Sequence, residues 1–250
     1  MTDVANNLAG KTVLVTGAAR RLGRAISLGL AGRGVHVVIH CHRSMEEASS
    51  LLAEVQALDV KGWLVAADLE DPRQLDSLFD QAVGQAGPID ILINNASIWP
   101  QQTLWDVTDQ SLIAAMRVHA LAPLVLARAL ARQQRPGHII NMLDTRVTSY
   151  DKDHAAYHIS KRSLLTLTRM LALELAPAVA VNAVAPGLLL PPEGQDESYL
   201  ERLAYTNPLH RHGGPQDAVD AVLFLLASRF VTGQVLYVDG GFHMKGHLYD

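Results

Sequence analysis

A chain of 250 residues suits a single α/β domain with a large buried core. Its residues are 49% hydrophobic, and its formal net charge is only -4. There is no basic excess and no clustered basic stripe, which excludes nucleic acid as an expected partner.

The cysteine content and the apolar runs predict a soluble, cytoplasmic protein. The single cysteine, Cys41, cannot form an internal disulfide, and we expect it to be buried at a strand end. Residues 1–7 have neither the charged start nor the apolar centre of a signal peptide. The longest apolar runs are interrupted by Arg169, Glu174 and Pro177, so we expect no segment of membrane-spanning length.

Apolar, β-rich runs alternate with helical patterns along the chain, which is typical of βαβ units and a parallel sheet. The predicted strands lie at 12–16, 35–40, 62–66, 89–93, 138–143, 180–184 and 234–238. The predicted helices lie at about 22–34, 45–58, 71–85, 108–133, 155–175 and 215–228. The strands are continuous apolar runs, as a sheet covered on both faces requires. Without a repeat or a linker, residues 1–250 are predicted to form one doubly wound α/β domain with a seven-stranded parallel sheet.

A glycine-containing turn lies between the first strand and the first helix. Gly17 permits a tight turn, and Gly23 lets the helix pack closely on the sheet. The backbone N–H groups at this helix start favour an anion. Arg21 places a cation in the first helical turn, which opposes the helix dipole unless a negative group binds there. The turn therefore predicts a phosphate-binding site.

The end of the second strand indicates which dinucleotide binds. A site for NAD would place an acidic residue there to hold the ribose hydroxyls. This chain instead has His42, Arg43 and Ser44. A guanidinium pairs with a phosphate through two hydrogen bonds, and a hydroxyl adds a further donor. The pattern therefore predicts NADPH as the cofactor.

Tyr157 and Lys161 are four residues apart in the helix that follows the fifth strand. On a helix this spacing places them one above the other on the same face. A nearby ammonium favours the phenolate, so we expect Lys161 to lower the pKa of Tyr157. A tyrosine with such a pKa is a usable proton donor at cellular pH.

The glycine turn, the run Asn94-Asn95-Ala96 after the fourth strand and the Tyr157/Lys161 pair together resemble the short-chain dehydrogenase/reductase family. The resemblance covers nearly the whole chain. It implies a Rossmann domain, a nicotinamide cofactor and a homotetramer. In that family the lysine also binds the nicotinamide ribose, and we expect Lys161 to do so.

Further cofactor contacts follow from the resemblance. Asp68, after the third strand, resembles the aspartate that contacts the adenine. Pro186-Gly187, after the sixth strand, resembles the pair that closes over the nicotinamide. The expected cofactor-binding residues are Gly17, Arg20, Arg21, Leu22, Gly23, His42, Arg43, Ser44, Asp68, Leu69, Asn94, Asn95, Ala96, Tyr157, Lys161, Pro186 and Gly187.

Two positions depart from the family pattern. Asp144 stands where most members carry a serine, which suggests a substrate other than a plain ketone. A carboxyl group there can orient Tyr157, relay a proton to it, or bind the amino groups of a nitrogen heterocycle. His119 stands where the family has an asparagine that supports a water relay to the lysine, and it either relays protons or is a helix-interior residue. The expected catalytic residues are Asp144, Tyr157 and Lys161.

Four short runs are similar to the pteridine reductases and to the bacterial dihydromonapterin and dihydrofolate reductases of the same fold. These runs are residues 18–24, 42–44, 95–97 and 141–144. In that subfamily an aromatic residue stacks the pterin against the nicotinamide, and Trp99 occupies its position. The resemblance also implies that Arg21 faces both the cofactor phosphates and the pterin, and that Ser97 contacts both ligands. The expected substrate-binding residues are Arg21, Ser97, Trp99, Asp144 and Tyr157.

Residues 188–211 are rich in proline and acidic residues and lie where family members carry a substrate lid. The leucines at 188–190 are candidates to cover the pocket, with Tyr199 and Leu203 on a short lid helix.

Several histidines lie near the end of the chain without a metal-binding pattern. No cysteine or acidic partner has ligand spacing near them, so we expect no metal site. These residues are His210, His212, His243 and His247.

These patterns predict an NADPH-dependent reductase of pterin-type C=N bonds, acting on a dihydropterin and extending to dihydrofolate. Tyr157 would give a proton to the nitrogen beside the carbon that receives the hydride. An alternative is an NADPH-dependent carbonyl or 3-oxoacyl reductase, which Asp144 disfavours. A non-enzymatic NADPH-binding sensor is a second alternative, which Tyr157 and Lys161 disfavour.

Overall fold

Seven strands and eight α-helices make up residues 8–247, the part of the chain that the computed structural model describes, with side chains up to Lys245. The strands are β1 (Thr12–Val15), β2 (His36–Cys41), β3 (Gly62–Ala66), β4 (Ile91–Asn94), β5 (Gly137–Met142), β6 (Val179–Pro186) and β7 (Val235–Val238). The helices are α1 (Arg21–Ala31), α2 (Met45–Gln56), α3 (Pro72–Ala86), α4 (Asp109–Met116), α5 (Ala122–Arg132), α6 (Ala155–Glu174), α7 (Glu197–Leu203) and α8 (Pro215–Ala227). The interpretation of residues 1–7 and the side chain of His247 lie outside the described residues.

All seven strands are parallel and form one sheet in the order β3-β2-β1-β4-β5-β6-β7. One face of the sheet is covered by α1, α2 and α8, with Leu30, Leu51 and Leu225 in the shared core. The other face is covered by α3, α5 and α6, with Leu78 and Leu126 in the core. The predicted doubly wound Rossmann domain with seven parallel strands is confirmed.

Local signals set the element boundaries, which lie within about three residues of the predicted ones. Asp71 begins α3 by accepting a hydrogen bond from the N–H of Arg73 at 2.9 Å, and Pro72 takes the first helical position. Pro177 follows the end of α6, as the sequence predicts. Cys41 is the last residue of β2 and is buried, which confirms its expected place.

The predicted helix at 108–133 is interrupted. A π-helical turn, Arg117–Leu121, separates α4 from α5. Pro123 lacks an N–H group, and its ring conflicts with the carbonyl of residue 119 in a regular α-helix. The wider π turn lies where this conflict falls, which gives the interruption a physical reason.

One stretch, Asp109–Arg132, is long and apolar enough to span a membrane by length and composition alone, with a hydropathy of 1.5. The expectation that no segment reaches that length was therefore wrong. The stretch comprises α4, the π turn and α5, and it packs on β4, β5 and α6 as part of the helical layer. Some of its apolar side chains, such as Leu126 and Leu130, are buried in the core, whereas Ile113 and Leu121 are exposed.

Candidate active site

The crevice at the carboxyl ends of β1 and β4 collects most of the predicted site residues. β1 pairs with β2 on one side and with β4 on the other, so the direction of winding reverses between β1 and β4. Ligands of open α/β sheets bind at such a point. The glycine turn follows β1 here, Asn95 follows β4, Asp144 follows β5 and Gly187 follows β6.

Close packing fixes the shape of the glycine turn. A Cβ atom at Gly17 would lie 2.9 Å from Cα of Ala96, and one at Gly23 would lie 2.3 Å from the Gly17 carbonyl oxygen. Gly17 also has a φ of 61°. Thr16 Oγ1 accepts hydrogen bonds from the N–H groups of Asn95 and Ala96 at 3.0 and 3.1 Å. Asn95 Nδ2 donates hydrogen bonds to the carbonyl oxygens of Thr16 and Gly17, both at 3.0 Å. The turn is therefore held against the loop after β4.

Arg21 begins α1 in the left-handed backbone conformation, with a φ of 53°. A side chain in this conformation costs about 1–2 kcal/mol. Arg21 Nη2 donates to the carbonyl oxygen of Pro191 at 2.7 Å, and Arg20 Nη1 lies 3.2 Å from Glu193 Oε1. Both arginines of the turn therefore contact the predicted lid, 188–211.

The residues expected to select NADPH follow β2 at the surface. His42 and Arg43 are exposed, and Ser44 is the N-cap residue of α2. His42 Nε2 lies 3.6 Å from Oδ2 of Asp68, the expected adenine contact, and Leu69 beside Asp68 is buried. A cleft of about 370 Å³ opens near the N-terminal turns of α1 and α2. It is lined by Ala19, Arg20, Arg21, Arg24, Glu46, Glu47 and Ser50.

His40 supports the glycine turn, and sequence reasoning missed it. Its Nδ1 accepts a hydrogen bond from the N–H of Gly17 at 3.1 Å, and its Nε2 donates to the carbonyl oxygen of Ala67 at 3.1 Å. Burial lowers the pKa of His40 to about 4, against the opposing effect of the Ala67 hydrogen bond. The ring is therefore neutral and can accept from Gly17. A histidine inside an apolar strand is the signal that points to such a partner.

The side chain of Asn94 belongs to the core. Its Nδ2 donates to Oδ1 of Asn141 at 2.8 Å, and Asn141 Nδ2 donates to Oγ1 of Thr168 at 2.9 Å. This buried chain connects β4, β5 and α6. The cofactor contact of Asn94 stays a prediction.

The three predicted catalytic side chains lie together at the carboxyl end of β5. The Tyr157 hydroxyl donates to Oδ2 of Asp144 at 2.9 Å, and Oδ1 of Asp144 accepts from the N–H of Arg146 at 2.7 Å. Lys161 Nζ donates to the carbonyl oxygen of Met142 at 2.7 Å and lies 5.6 Å from the centre of the Tyr157 ring.

The pKa of Tyr157 is raised well above its usual value of 10.0. Burial is the largest cause, followed by the charge and the hydrogen bond of Asp144. The charge of Arg146 and the nearby Ser97 hydroxyl act in the opposite direction. The expectation of a lowered Tyr157 pKa is therefore wrong for this structure, because burial and the Asp144 carboxylate raise it. Tyr157 holds its proton at neutral pH.

Lys161 is itself perturbed. Burial lowers its pKa from 10.5 to about 8, while the charge of Asp144 acts in the opposite direction. The ammonium form therefore predominates at pH 7, beside the Asp144–Tyr157 pair.

His119 lies in the π turn and is buried. Its Nε2 accepts from the N–H of Ile98 at 3.1 Å and lies 2.9 Å from Ser97 Oγ, so the ring proton is on Nδ1, which donates to Ser160 Oγ at 2.8 Å. Burial, and then the charge of Lys161, lowers the pKa of His119 to about 2. This neutral, hydrogen-bonded ring fits the helix-interior alternative, and it joins the loop after β4 to α6.

Trp99 lies directly on the Tyr157 ring. The two ring centres are 4.1 Å apart in an edge-to-face arrangement, and the His154 ring lies 4.0 Å from the indole. The Arg146 guanidinium lies 5.3 Å from the indole centre. Trp99 is 46% exposed, so it offers a flat apolar surface next to the Tyr157 hydroxyl.

Arg146 is a second residue that sequence reasoning missed. Its Nη1 lies 2.8 Å from Oδ2 of Asp151, whose carboxylate also lies 3.0 Å from His154 Nδ1 and 3.1 Å from His158 Nε2. Asp151 thus holds together Arg146 and His154, both of which lie next to the Trp99 ring. Arg146 and Asp151 are near in sequence, but they lie in the irregular segment between β5 and α6, where no periodic pattern indicates their contact.

The far side of the crevice is formed by the end of β6 and the predicted lid. Pro186 is the last residue of β6, opposite Val238, and a Cβ atom at Gly187 would lie 2.5 Å from Cβ of Asp239. Leu189, in the predicted lid, is buried. Helix α7 contains Tyr199 and Leu203, as predicted for the short helix of this segment.

Within residues 8–247, no group of three His, Cys, Asp or Glu side chains has the geometry of a metal site. His212 Nε2 lies 3.7 Å from Glu197, and His243 Nδ1 lies 3.0 Å from Asp239. The expectation of no metal stays a prediction.

The site fits a dinucleotide phosphate. The turn leaves room for no Cβ atom at Gly17 or Gly23, the first turn of α1 contains no acidic residue, and Arg20 and Arg21 supply positive charge. These three features together make an anion favourable at the start of α1.

Comparisons with known proteins agree with this geometry. A family model described as enoyl-(acyl carrier protein) reductase matches residues 17–243. A 3-oxoacyl-(acyl-carrier-protein) reductase, FabG, of Staphylococcus aureus is 32% identical over 94% of this chain and 98% of its own. An L-xylulose reductase of Bos taurus is 34% identical over 94% of this chain and 97% of its own.

Among solved structures, FolM alternative dihydrofolate reductase 1 from Brucella suis, in complex with NADP, has a TM-score of 0.90. It is 34% identical, with 97% of this chain and 98% of that chain covered. A blue fluorescent protein from a metagenomic library, in complex with NADPH, has a TM-score of 0.87 at 33% identity, with 94% of this chain and 99% of that chain covered. On these matches and on the geometry of its crevice, the chain belongs to the short-chain dehydrogenase/reductase family.

Proposed function

We propose that this protein is an NADPH-dependent reductase of C=N bonds in pterin-type heterocycles. The observation that carries the proposal is the hydrogen bond from the Tyr157 hydroxyl to Asp144 at 2.9 Å, beside the exposed indole of Trp99. A carboxylate accepts hydrogen bonds from the amino groups of a pterin, which a serine hydroxyl does less well. The similarity to a FolM alternative dihydrofolate reductase supports the same substrate class.

The residues that would hold NADPH lie around the crevice. The glycine turn with Arg20 and Arg21 would bind the phosphates, Arg43 and Ser44 the phosphate that distinguishes NADPH from NADH, and Lys161 the nicotinamide ribose. When bound, NADPH supplies a hydride to a carbon of the substrate.

Tyr157 would supply the proton to the adjacent ring nitrogen. Its raised pKa keeps the hydroxyl protonated at neutral pH, and Asp144 fixes its direction. Donation requires the hydroxyl to rotate from the carboxylate to the substrate nitrogen. Trp99 would stack on the heterocycle, and Arg21 and Ser97 would contact it.

A carbonyl reductase is the second candidate. The similarity to FabG, named as a 3-oxoacyl reductase, favours it, since that relative covers almost the whole chain. Asp144 and Trp99 favour the pterin reductase. A non-enzymatic NADPH-binding sensor would show no multiple turnover.

We also propose a cytoplasmic homotetramer, as the family resemblance implies. Sedimentation of the purified protein measures its oligomeric state directly, and a monomer would contradict this proposal.

The deciding experiment measures NADPH consumption with dihydrobiopterin, dihydromonapterin, dihydrofolate and an acetoacetyl thioester, side by side. We expect faster turnover of a pterin than of the thioester. Turnover of the thioester alone would assign the protein to the second candidate.

The stacking role of Trp99 has a matched control in Trp105, which is 96% exposed in the same loop region. We expect Trp99→Ala to raise the KM for the pterin about tenfold, since an aromatic pair contributes about 0.5–1.5 kcal/mol beyond its buried area. Trp105→Ala should leave this KM unchanged. Equal effects of the two substitutions would remove Trp99 from the pterin site.

A further inference from the structure

Asp239, directly after β7, is a buried carboxylate with several donors. It accepts hydrogen bonds from the Thr145 hydroxyl and from the N–H groups of Gly241 at 2.9 Å and His243 at 2.8 Å. The His243 imidazole lies 3.0 Å from the same carboxylate and stacks on the Tyr237 ring at 4.1 Å. The segment after β7 is therefore tied to Thr145.

Thr145 immediately follows Asp144 and begins the 3₁₀ turn Thr145–Val147. The N–H of Arg146 in this turn donates to one oxygen of Asp144 at 2.7 Å, and the other oxygen accepts the Tyr157 hydroxyl at 2.9 Å. The backbone of the turn therefore sets the direction of the carboxylate that holds Tyr157.

Asp239 also packs on the opposite wall of the crevice. A Cβ atom at Gly187 would lie 2.5 Å from its Cβ, and the N–H of Gly187 donates to the carbonyl oxygen of Val238 at 2.9 Å. Asp239 thus lies between the turn that carries Asp144 and the end of β6.

We propose that Asp239 and Thr145 are positioning residues, which anchor the 3₁₀ turn and thereby fix the Asp144–Tyr157 hydrogen bond for proton transfer. This proposal rests on the proposed role of Asp144 and Tyr157 in reduction. Asp239 acts through Thr145, so the segment after β7 helps to position the catalytic side chains.

Thr145→Val tests this proposal because valine keeps the shape of threonine and removes only the hydroxyl. Asp239 keeps its two backbone donors, so the fold should tolerate the change. We expect kcat to fall about tenfold, as for loss of a hydrogen bond to a charged group. We expect the KM of the substrate and the dissociation constant of NADPH to stay unchanged, and Thr145→Ser to restore kcat.

The pH profile separates positioning from a general loss of stability. Asp144, Arg146, His119, His158 and Lys161 are the charged and titratable groups around Tyr157. Asp144 raises the pKa of Tyr157, so a carboxylate that is less well held should move the alkaline limb of kcat to lower pH. Thr166→Val is the control, because Thr166 is exposed on α6 and its hydroxyl donates to the Arg162 carbonyl of the same helix, at 3.2 Å.

Two outcomes overturn the proposal, and neither depends on the identity of the substrate. One is a kcat for Thr145→Val no lower than that for Thr166→Val, measured with whichever of the four compounds turns over. The other is unchanged hydrogen–deuterium exchange at the Arg146 N–H in Thr145→Val. If no compound turns over, the proposed function fails, while the exchange measurement still decides whether the anchor exists.

Discussion

The charge at Asp144 changes what Tyr157 can do. Burial and the Asp144 carboxylate together keep the Tyr157 hydroxyl protonated. The hydroxyl donates to Asp144 in this structure, and it can donate to a substrate atom instead. The spacing of Tyr157 and Lys161 correctly predicts one helix face. It does not reveal that the ammonium turns to the carbonyl of Met142, because that carbonyl belongs to a strand distant in sequence.

We expect Lys161→Met to stabilise the fold at pH 7 while removing most turnover. Burial lowers the pKa of Lys161 from 10.5 to about 8, which corresponds to roughly 3 kcal/mol against the charged form. Because the folded pKa is the lower one, this cost is complete below pH 8 and disappears as the pH rises toward 10.5. The gain in free energy of unfolding should fade over the same range, as urea unfolding at pH 7 and pH 10 would measure.

The exposed Lys61 is the control for this change. Lys61→Met should change the free energy of unfolding by the same amount at pH 7 and at pH 10. If Lys161→Met raises the free energy of unfolding equally at pH 7 and pH 10, burial of the Lys161 ammonium is not the cause of the gain.

At the scale of elements, the glycine turn combines a relaxed and a strained residue. Gly17 has the backbone conformation that only glycine adopts freely, whereas Arg21 adopts a similar one with a side chain. The strain itself becomes visible only from the backbone angle.

We expect Arg21→Gly to stabilise the protein without cofactor and to weaken NADPH binding. The left-handed conformation costs an arginine about 1–2 kcal/mol. Glycine also gives the unfolded chain more conformational freedom, which costs the folded state roughly 0.5–1 kcal/mol, so the net gain in stability is about 0–1.5 kcal/mol. Urea unfolding and a fluorescence titration with NADPH measure the two effects.

Arg33→Gly is the matched substitution at the other end of α1, where the arginine is exposed and its backbone angle is not positive. It should destabilise the fold slightly. If Arg21→Gly also lowers the free energy of unfolding, the left-handed backbone conformation of Arg21 does not destabilise the folded protein.

At the scale of the whole molecule, the fold was predictable because each strand and helix carries its own pattern. The cofactor turn and the Asp144–Tyr157 pair were predictable because they lie beside strand ends in sequence. His40 and Asp239 were not, because their partners come from other strands and loops. Arg146 was not, because it pairs with Asp151 inside the irregular segment between β5 and α6, which has no periodic pattern. The break at 117–121 was missed because apolar periodicity continues through it.

Two buried neutral histidines, His40 and His119, hold loops at the carboxyl ends of the strands, and we expect them to make the fold acid-sensitive. Burial lowers the pKa of His40 to about 4 and that of His119 to about 2. Their folded pKa values lie below the unfolded value, so stability is complete above about pH 6.5 and is lost as the pH falls below it. At pH 5 each histidine should cost roughly 2 kcal/mol relative to pH 7.

Urea unfolding at pH 7 and pH 5 measures this loss. His119→Asn should reduce it by about half, whereas His210→Asn at an exposed position should not change it. An equal loss in all three proteins would mean that other groups cause the acid sensitivity.

The π turn Arg117–Leu121 has a consequence for insertions and deletions in this chain. Its wider hydrogen-bonded rings enclose one residue more per turn than an α-helix. Each α-helical residue advances the helix by about 100°, so deleting one residue here would rotate α5 relative to α4 by about that angle. A shortened chain would then have to give up either the packing of α4 on α6 or that of α5 on β4 and β5. The extra residue therefore allows α4 to pack on α6 while α5 packs on β4 and β5.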